Sequence, residues 1–269
     1  MLVQYITLIS SKIYGRLLMS IVIFGQERPK ISFTQSPSGD ISFEIENEFS
    51  IEFSFSRNDS FSWKDFYLAW MERQLEMKLI SEDVFENSCL YEVAYGDLDK
   101  VERRNHAKFE FTNFIEKMIE LTGSLFERKF FQDYVNLCGI NECPLVFRDC
   151  PALIPQFWVN WLHYNFRDKN RAKRARKEPF RVDFVLKDKQ LGHNLIIIEI
   201  DGSTHYCTNT GIASMEVYTE HLRKDRWLRH EGWQVYRVSN KEIDEYDNIQ
   251  TFLREIFGEQ YTPPNTLGF

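Results

Sequence analysis

The segments FRVDFVL (residues 180–186) and NLIIIEIDG (194–202) are two apolar runs that carry three acids, Asp183, Glu199 and Asp201. Runs this rich in β-branched and aromatic residues read as strands buried in a sheet. A carboxylate inside such a strand is costly unless a cation or a hydrogen-bond donor compensates it. Side chains two apart share a face of a strand, so Glu199 and Asp201 point the same way, as do Arg181 and Asp183. If the runs form an antiparallel hairpin through the turn that starts at Asp188, Asp183 approaches Glu199, since directly opposed side chains lie about 5 Å apart. Two carboxylates that close repel each other. A divalent ion resolves the conflict, and Mg²⁺ suits a site with one or two carboxylates and room for water and phosphate.

Outward from this pair, the spacing predicts a helix over 124–137, strands over about 153–163, 179–187 and 194–201, a helix over about 214–230, a strand over 233–239 and a helix over 241–257. Ser124 and Glu127 have the spacing of a capping box that opens the first of these helices. Upstream, short alternating segments between Ser20 and Phe55 predict a small antiparallel sheet. Helical spacing follows from Trp63 and again from about Phe109 to Leu121, while 81–106 is mixed. The organisation expected is an N-terminal β-plus-α region (1–122), a second domain (123–258) and a loosely held tail (259–269).

The 269 residues carry 43% hydrophobic, 15% aromatic and 27% charged side chains, a globular composition. The formal charge of −7 comes from the first 123 residues, with 13 basic against 20 acidic side chains; the remainder is balanced at 20 and 20. Within that balanced part Arg167, Lys169, Arg171, Lys173, Arg174, Arg176 and Lys177 crowd one segment, interrupted only by Asp168 among acids. Such a run is either a solvated loop or a phosphate-binding patch, and its density beside the carboxylates favours nucleic acid. Trp158, Trp161, Tyr164 and Phe166 just before it read as core aromatics. Five cysteines without a dense framework fit a reducing cytoplasm. Cys138, Cys143 and Cys150 with His163 form either a zinc knuckle or a set of small buried thiols. Lys12 and Arg16 interrupt the apolar first 25 residues. That segment therefore reads as a peripheral element, or as an extension before a start at Met19, more than as an export signal or membrane span.

The order helix, Asp-bearing strand, Glu-bearing strand, helix and strand resembles the PD-(D/E)xK nuclease superfamily. IIIEIDGSTHY, a helix ending in RKDRWLRHEG, and WQVYRV resemble a group related to very-short-patch repair endonucleases. The resemblance covers about half the chain, from Ser124 to Ile256. It implies a restriction-endonuclease-like αβββαβ core with a mixed central sheet, in an α+β or α/β chain. It also implies a Mg²⁺-dependent nuclease, with Mn²⁺ as a substitute, that hydrolyses DNA in repair or anti-phage defence. Asp183 and Glu199 would hold the metal, with the Ile200 carbonyl beside them. Glu127 would add a contact, or serve only its cap. His205 would position or deprotonate water, or simply bond within its loop. The lysine usual two residues after the glutamate is replaced by Asp201, which would support the site or hold a second metal. Lys224, on the next helix, would supply the missing cation, or belong to a solvated face with Arg223 and Arg226. Arg181 would steady phosphate. The other reading of the same features is an inactive nuclease fold that binds nucleic acid or protein. The N-terminal region would dock a protein partner, select the target or brace the second domain.

Overall fold

The computed structural model describes residues 23–24, 30–35, 41–46, 59–86, 88, 101–140, 144–159, 180–192, 195–202, 206–207, 211–230 and 232–264. The strands are β1 (Ile23–Phe24), β2 (Lys30–Gln35), β3 (Ile41–Glu46), β4 (Leu153–Val159), β5 (Phe180–Leu186), β6 (Ile196–Asp201) and β7 (Gln234–Ser239). The helices are α1 (Trp63–Glu76), α2 (Glu82–Glu86), α3 (Val101–Leu121), α4 (Leu125–Leu137), α5 (Pro144–Asp149), α6 (Met215–His230), α7 (Asn240–Glu245) and α8 (Ile249–Phe257).

A mixed sheet of β4, β5, β6 and β7 organises the chain, and the two-residue β1 extends it in the order β1-β4-β5-β6-β7. The pairs β4/β5 and β5/β6 are antiparallel, whereas β6/β7 is parallel. A parallel pair needs a crossover, and α6 supplies it. Flanked on both edges, β6 is buried at every position. The pleat then divides β5 between two faces. Phe184 points to one face, where it meets Phe130 and Phe131 of α4 at 5.7 and 6.1 Å between ring centroids. Asp183 points to the other.

The small antiparallel sheet expected upstream is the pair β2/β3, in register from Lys30↔Glu46 to Gln35↔Ile41. Strand β1 instead joins the large sheet beside β4. The buried apolar residues form one cluster from Trp63 to Tyr261 that crosses the boundary expected at 122/123. Trp63 of α1 stacks on Phe147 of α5 at 5.2 Å, Phe66 meets Phe114 of α3 at 5.1 Å, and Trp63 meets Phe131 of α4 at 5.9 Å.

Several sequence-based boundaries move. The single helix expected over 241–257 is two helices, because Ser239 caps the first in a capping box with Glu242. Asn248 starts the second by accepting the Gln250 and Thr251 amides. Helix α3 starts at Val101, and α5 was not anticipated; its first residue is Pro144, where a missing N–H costs nothing.

The tail expected to be loose is held as far as Pro264. Tyr261 is buried and donates from its hydroxyl to Asp188 Oδ2 at 3.1 Å, and Gln190 bonds both the N–H and the C=O of Thr262. Burial, with Asp188 beside it, pushes the Tyr261 phenol well above its ordinary pKa. Phe184→Ala is expected to cost about 3–5 kcal/mol by emptying the space between α4 and the sheet. Tyr261→Phe is expected to cost about 1 kcal/mol through the lost hydrogen bond. Urea denaturation of both variants checks the two values.

Candidate functional site

Antiparallel register sets the site. Phe184 pairs with Ile198, so the next position along the ladder sets Asp183 against Glu199. On the far side of β5, Pro155 pairs with Phe184 and Phe157 with Val182, which sets Gln156 against Asp183. On the far side of β6, Glu199 pairs with Arg237. One row across four strands therefore reads Gln156, Asp183, Glu199, Arg237.

The pair expected from alternation is thus brought together at the centre of the sheet. Glu199 is 1% exposed, and Asp183 is partly buried. Asp183 Oδ2 accepts the Ile200 N–H at 2.7 Å. Burial first, then the charges of Glu199 and Glu127, push the Asp183 carboxyl well above the usual value of 3.8. The Ile200 amide and Lys224 only partly offset this.

Helix α6 lies over this face and delivers a cation to it. Lys224 Nζ bonds Glu199 Oε1 at 2.6 Å and the Arg181 carbonyl at 3.0 Å. Of the two alternatives open for Lys224 in the sequence, the solvated face does not describe it: its side chain is 11% exposed. Arg181, one turn of the pleat from Asp183, is exposed.

Asp201 has a different environment from the one expected of a metal ligand. Arg237 grips both its oxygens, with Nε at 2.7 Å from Oδ2 and Nη2 at 2.5 Å from Oδ1, and Tyr206 donates to Oδ2 at 2.9 Å. Arg237 also bonds Asp225 of α6 at 2.9 Å. Burial disfavours the Arg237 charge, but its bonds and its attraction to Asp201, Asp225 and Glu199 outweigh that and raise its pKa. This fork-shaped pairing ties β6, β7 and α6 together.

Glu127 is buried at the start of α4. Half of the expected capping box forms: Ser124 Oγ accepts the Glu127 N–H at 3.1 Å. The Glu127 carboxylate does not return to Ser124. Its Oε2 accepts the Gly123 N–H at 2.8 Å and Gln156 Nε2 at 2.6 Å. A Cβ at Gly123 would stand 3.1 Å from Glu127 Oε1, so a larger residue there would press on this carboxylate. Gln156 and Arg237 carry the site's architecture and were missed in the sequence. Arg237 had a signal, since WQVYRVS alternates and could be aligned in parallel with the Glu199 strand. Gln156 had none.

His205 and the basic run Arg167, Lys169, Arg171, Lys173, Arg174, Arg176 and Lys177 lie outside the described residues, as do Cys143 and His163. Cys138 and Cys150 are buried free thiols, and Cys150 Sγ donates to the Val146 carbonyl at 3.2 Å. Among the described residues no three His, Cys, Asp or Glu side chains gather as a metal cage, and no helix is long and apolar enough to cross a membrane. Two carboxylates are nonetheless enough for Mg²⁺, which keeps much of its water. Asp183 and Glu199, set against each other on adjacent strands, are the two oxygen donors such an ion would use.

Among known families, the RAP domain matches residues 198–256. That span holds Glu199, Asp201, Lys224 and Arg237 and ends before α8 does; Asp183 and Gln156 lie outside it. No curated protein and no solved structure matches the chain.

Two outcomes follow from the charges. A carboxyl whose folded pKa exceeds its unfolded one binds more protons when folded, so its contribution is complete below about pH 3.8 and is lost as pH rises through the folded value. Asp183→Asn is therefore expected to raise the melting temperature of metal-free protein at pH 7, with the gain shrinking towards pH 4. Arg237→Leu, which takes the guanidinium from the buried Asp201 carboxylate, is expected to cost about 3 kcal/mol in urea denaturation.

Proposed function

We propose that this protein binds nucleic acid and hydrolyses its phosphodiester backbone with a divalent ion held by Asp183 and Glu199, in a core of the restriction-endonuclease-like kind. The observation that carries this reading is Lys224 Nζ at 2.6 Å from Glu199 Oε1. PD-(D/E)xK sites combine an aspartate, a glutamate and a lysine, and the third member here comes from α6 because Asp201 occupies the usual lysine position. The strand order, with β4, β5 and β6 antiparallel and β7 parallel to β6 across a helix, supports the same fold.

The ion, when bound, polarises a phosphoryl oxygen and lowers the pKa of water. Asp183 and Glu199 would hold it from adjacent strands, and the Ile200 amide fixes the Asp183 carboxylate. Lys224 holds its positive charge beside Glu199, where it would face the negative charge developing on phosphate. Asp201, bound to Arg237, keeps α6 and hence Lys224 in place. His205 remains the proposed holder of water, and the basic run from Arg167 to Lys177 the proposed guide for the backbone.

The RAP domain is associated with RNA and nucleic-acid binding. That association supports RNA as the polymer over the DNA implied by the sequence resemblance. The repair or anti-phage setting belongs to the DNA alternative. A second reading, a nucleic-acid-binding module without hydrolysis, draws support from the same ion pairs, since Lys224–Glu199 and Arg237–Asp201 also serve as structural ties.

End-labelled single-stranded RNA, single-stranded DNA and duplex DNA, incubated with Mg²⁺, Mn²⁺ or EDTA, separate these readings. The expected result is RNA cleavage that needs the ion. It should fall by about 100-fold or more in Asp183→Ala and Lys224→Ala, with RNA binding retained. RNA bound but left uncut with either ion would favour the binding module, and cleavage in EDTA would contradict the role of the carboxylates.

A further inference from the structure

Gln156 carries two unfavourable features at once. Its φ is +52°, in the left-handed region that a glutamine in a strand rarely adopts. It is 1% exposed, and its amide oxygen Oε1 has no hydrogen-bond partner among the described residues. The orientation of the amide follows from chemistry. Glu127 Oε2 already accepts the Gly123 N–H, and a carboxylate oxygen at 2.6 Å from the amide demands its N–H₂ end. Oε1 is therefore the end left over.

Strand backbone in the left-handed region, like a buried orphan oxygen, tends to persist where surrounding structure requires it, and such features cluster at functional sites. Here the location is specific. Gln156 stands against Asp183 in the row across the sheet and is joined to Glu127, whose charge Asp183 feels. Its side chain is thus tied, through Glu127, to a charge that acts on Asp183.

We propose that Gln156 is a further member of the divalent-ion site, supplying its neutral oxygen, Oε1, beside Asp183 and Glu199. This rests on the hydrolytic reading above. An amide oxygen suits the place, since it is a hard ligand for a divalent ion. The bond from Nε2 to Glu127 fixes which end of the amide is presented, as partners of metal ligands commonly do. The left-handed backbone at Gln156 interrupts the ladder at the pair Gln156/Asp183 and turns the amide towards the start of α4.

The test measures Mn²⁺ alone binding to the full chain by electron paramagnetic resonance, with circular dichroism as the control for folding. In Gln156→Met, which keeps the length and removes the oxygen, Mn²⁺ affinity is expected to fall by about tenfold or more. In Gln156→Glu, which keeps an oxygen but cannot donate to Glu127, affinity is expected to stay at the wild-type level or tighten. Equal Mn²⁺ affinity in wild type and Gln156→Met would overturn the proposal while leaving Asp183 and Glu199 as ligands. An equal loss in both variants would overturn it too, since that is the signature of a purely structural amide. If Gln156→Met does not fold, Gln156→Glu decides alone: a loss matching Asp183→Ala overturns the proposal. Wild type that binds no Mn²⁺ would instead overturn the hydrolytic reading on which it rests.

Discussion

The Lys224 ammonium lies against the Glu199 carboxylate inside a strand whose every residue is buried, and much of the structure follows from that contact. A glutamate at the centre of a sheet needs a compensating cation, and here the crossover helix brings it. Helix α6 has to cross there anyway to make β7 parallel to β6. Once α6 is in place, Asp225 can reach Arg237, and Arg237 can neutralise Asp201 two residues along from Glu199. The sheet and its crossover helix are therefore held by charge pairing as well as by apolar contact.

The opposite face of the sheet has a different character. Phe130, Phe131 and Phe184 pack α4 against β5, and Phe252 of α8 joins them through Phe130 at 6.3 Å. That apolar layer is rigid by close packing. It holds the start of α4, and so Glu127 and Gln156, at the edge of the carboxylate row. The surroundings of the carboxylates thus draw on both layers: Lys224 from the crossover helix, and Glu127 from the helix beneath, joined to Gln156 of β4. Burial, with Glu199 and Glu127 nearby, pushes the Asp183 carboxyl up.

Much of this was legible in the sequence where the physics is local. Alternation in FRVDFVL and IIIEID, joined as an antiparallel hairpin through the turn at Asp188, set Asp183 against Glu199, because strand periodicity and a short turn are local signals. The resemblance to PD-(D/E)xK nucleases, in which Asp201 stands where lysine is usual, suggested Lys224 as a replacement cation, with a solvated helix face as the other reading. The rest depends on tertiary context. Nothing in LIPQFWV marks Gln156 as left-handed or as the partner of Glu127, 29 positions away. The hold of Asp188 on Tyr261 spans 73 positions, and without it YTPPN reads as a loose tail. The break between α7 and α8 had a local signal in Asn248, but apolar periodicity ran on through it and masked the cap.

The central claim is that the buried row Asp183–Glu199 with Lys224 is a site for a divalent ion and not merely a structural ion pair. Anomalous diffraction from crystals grown with Mn²⁺ tests it most directly. The account predicts a single strong peak between the carboxylates of Asp183 and Glu199, within coordination distance of both. A map with no peak there, and with Lys224 still seated on Glu199 at high Mn²⁺ concentration, would contradict it.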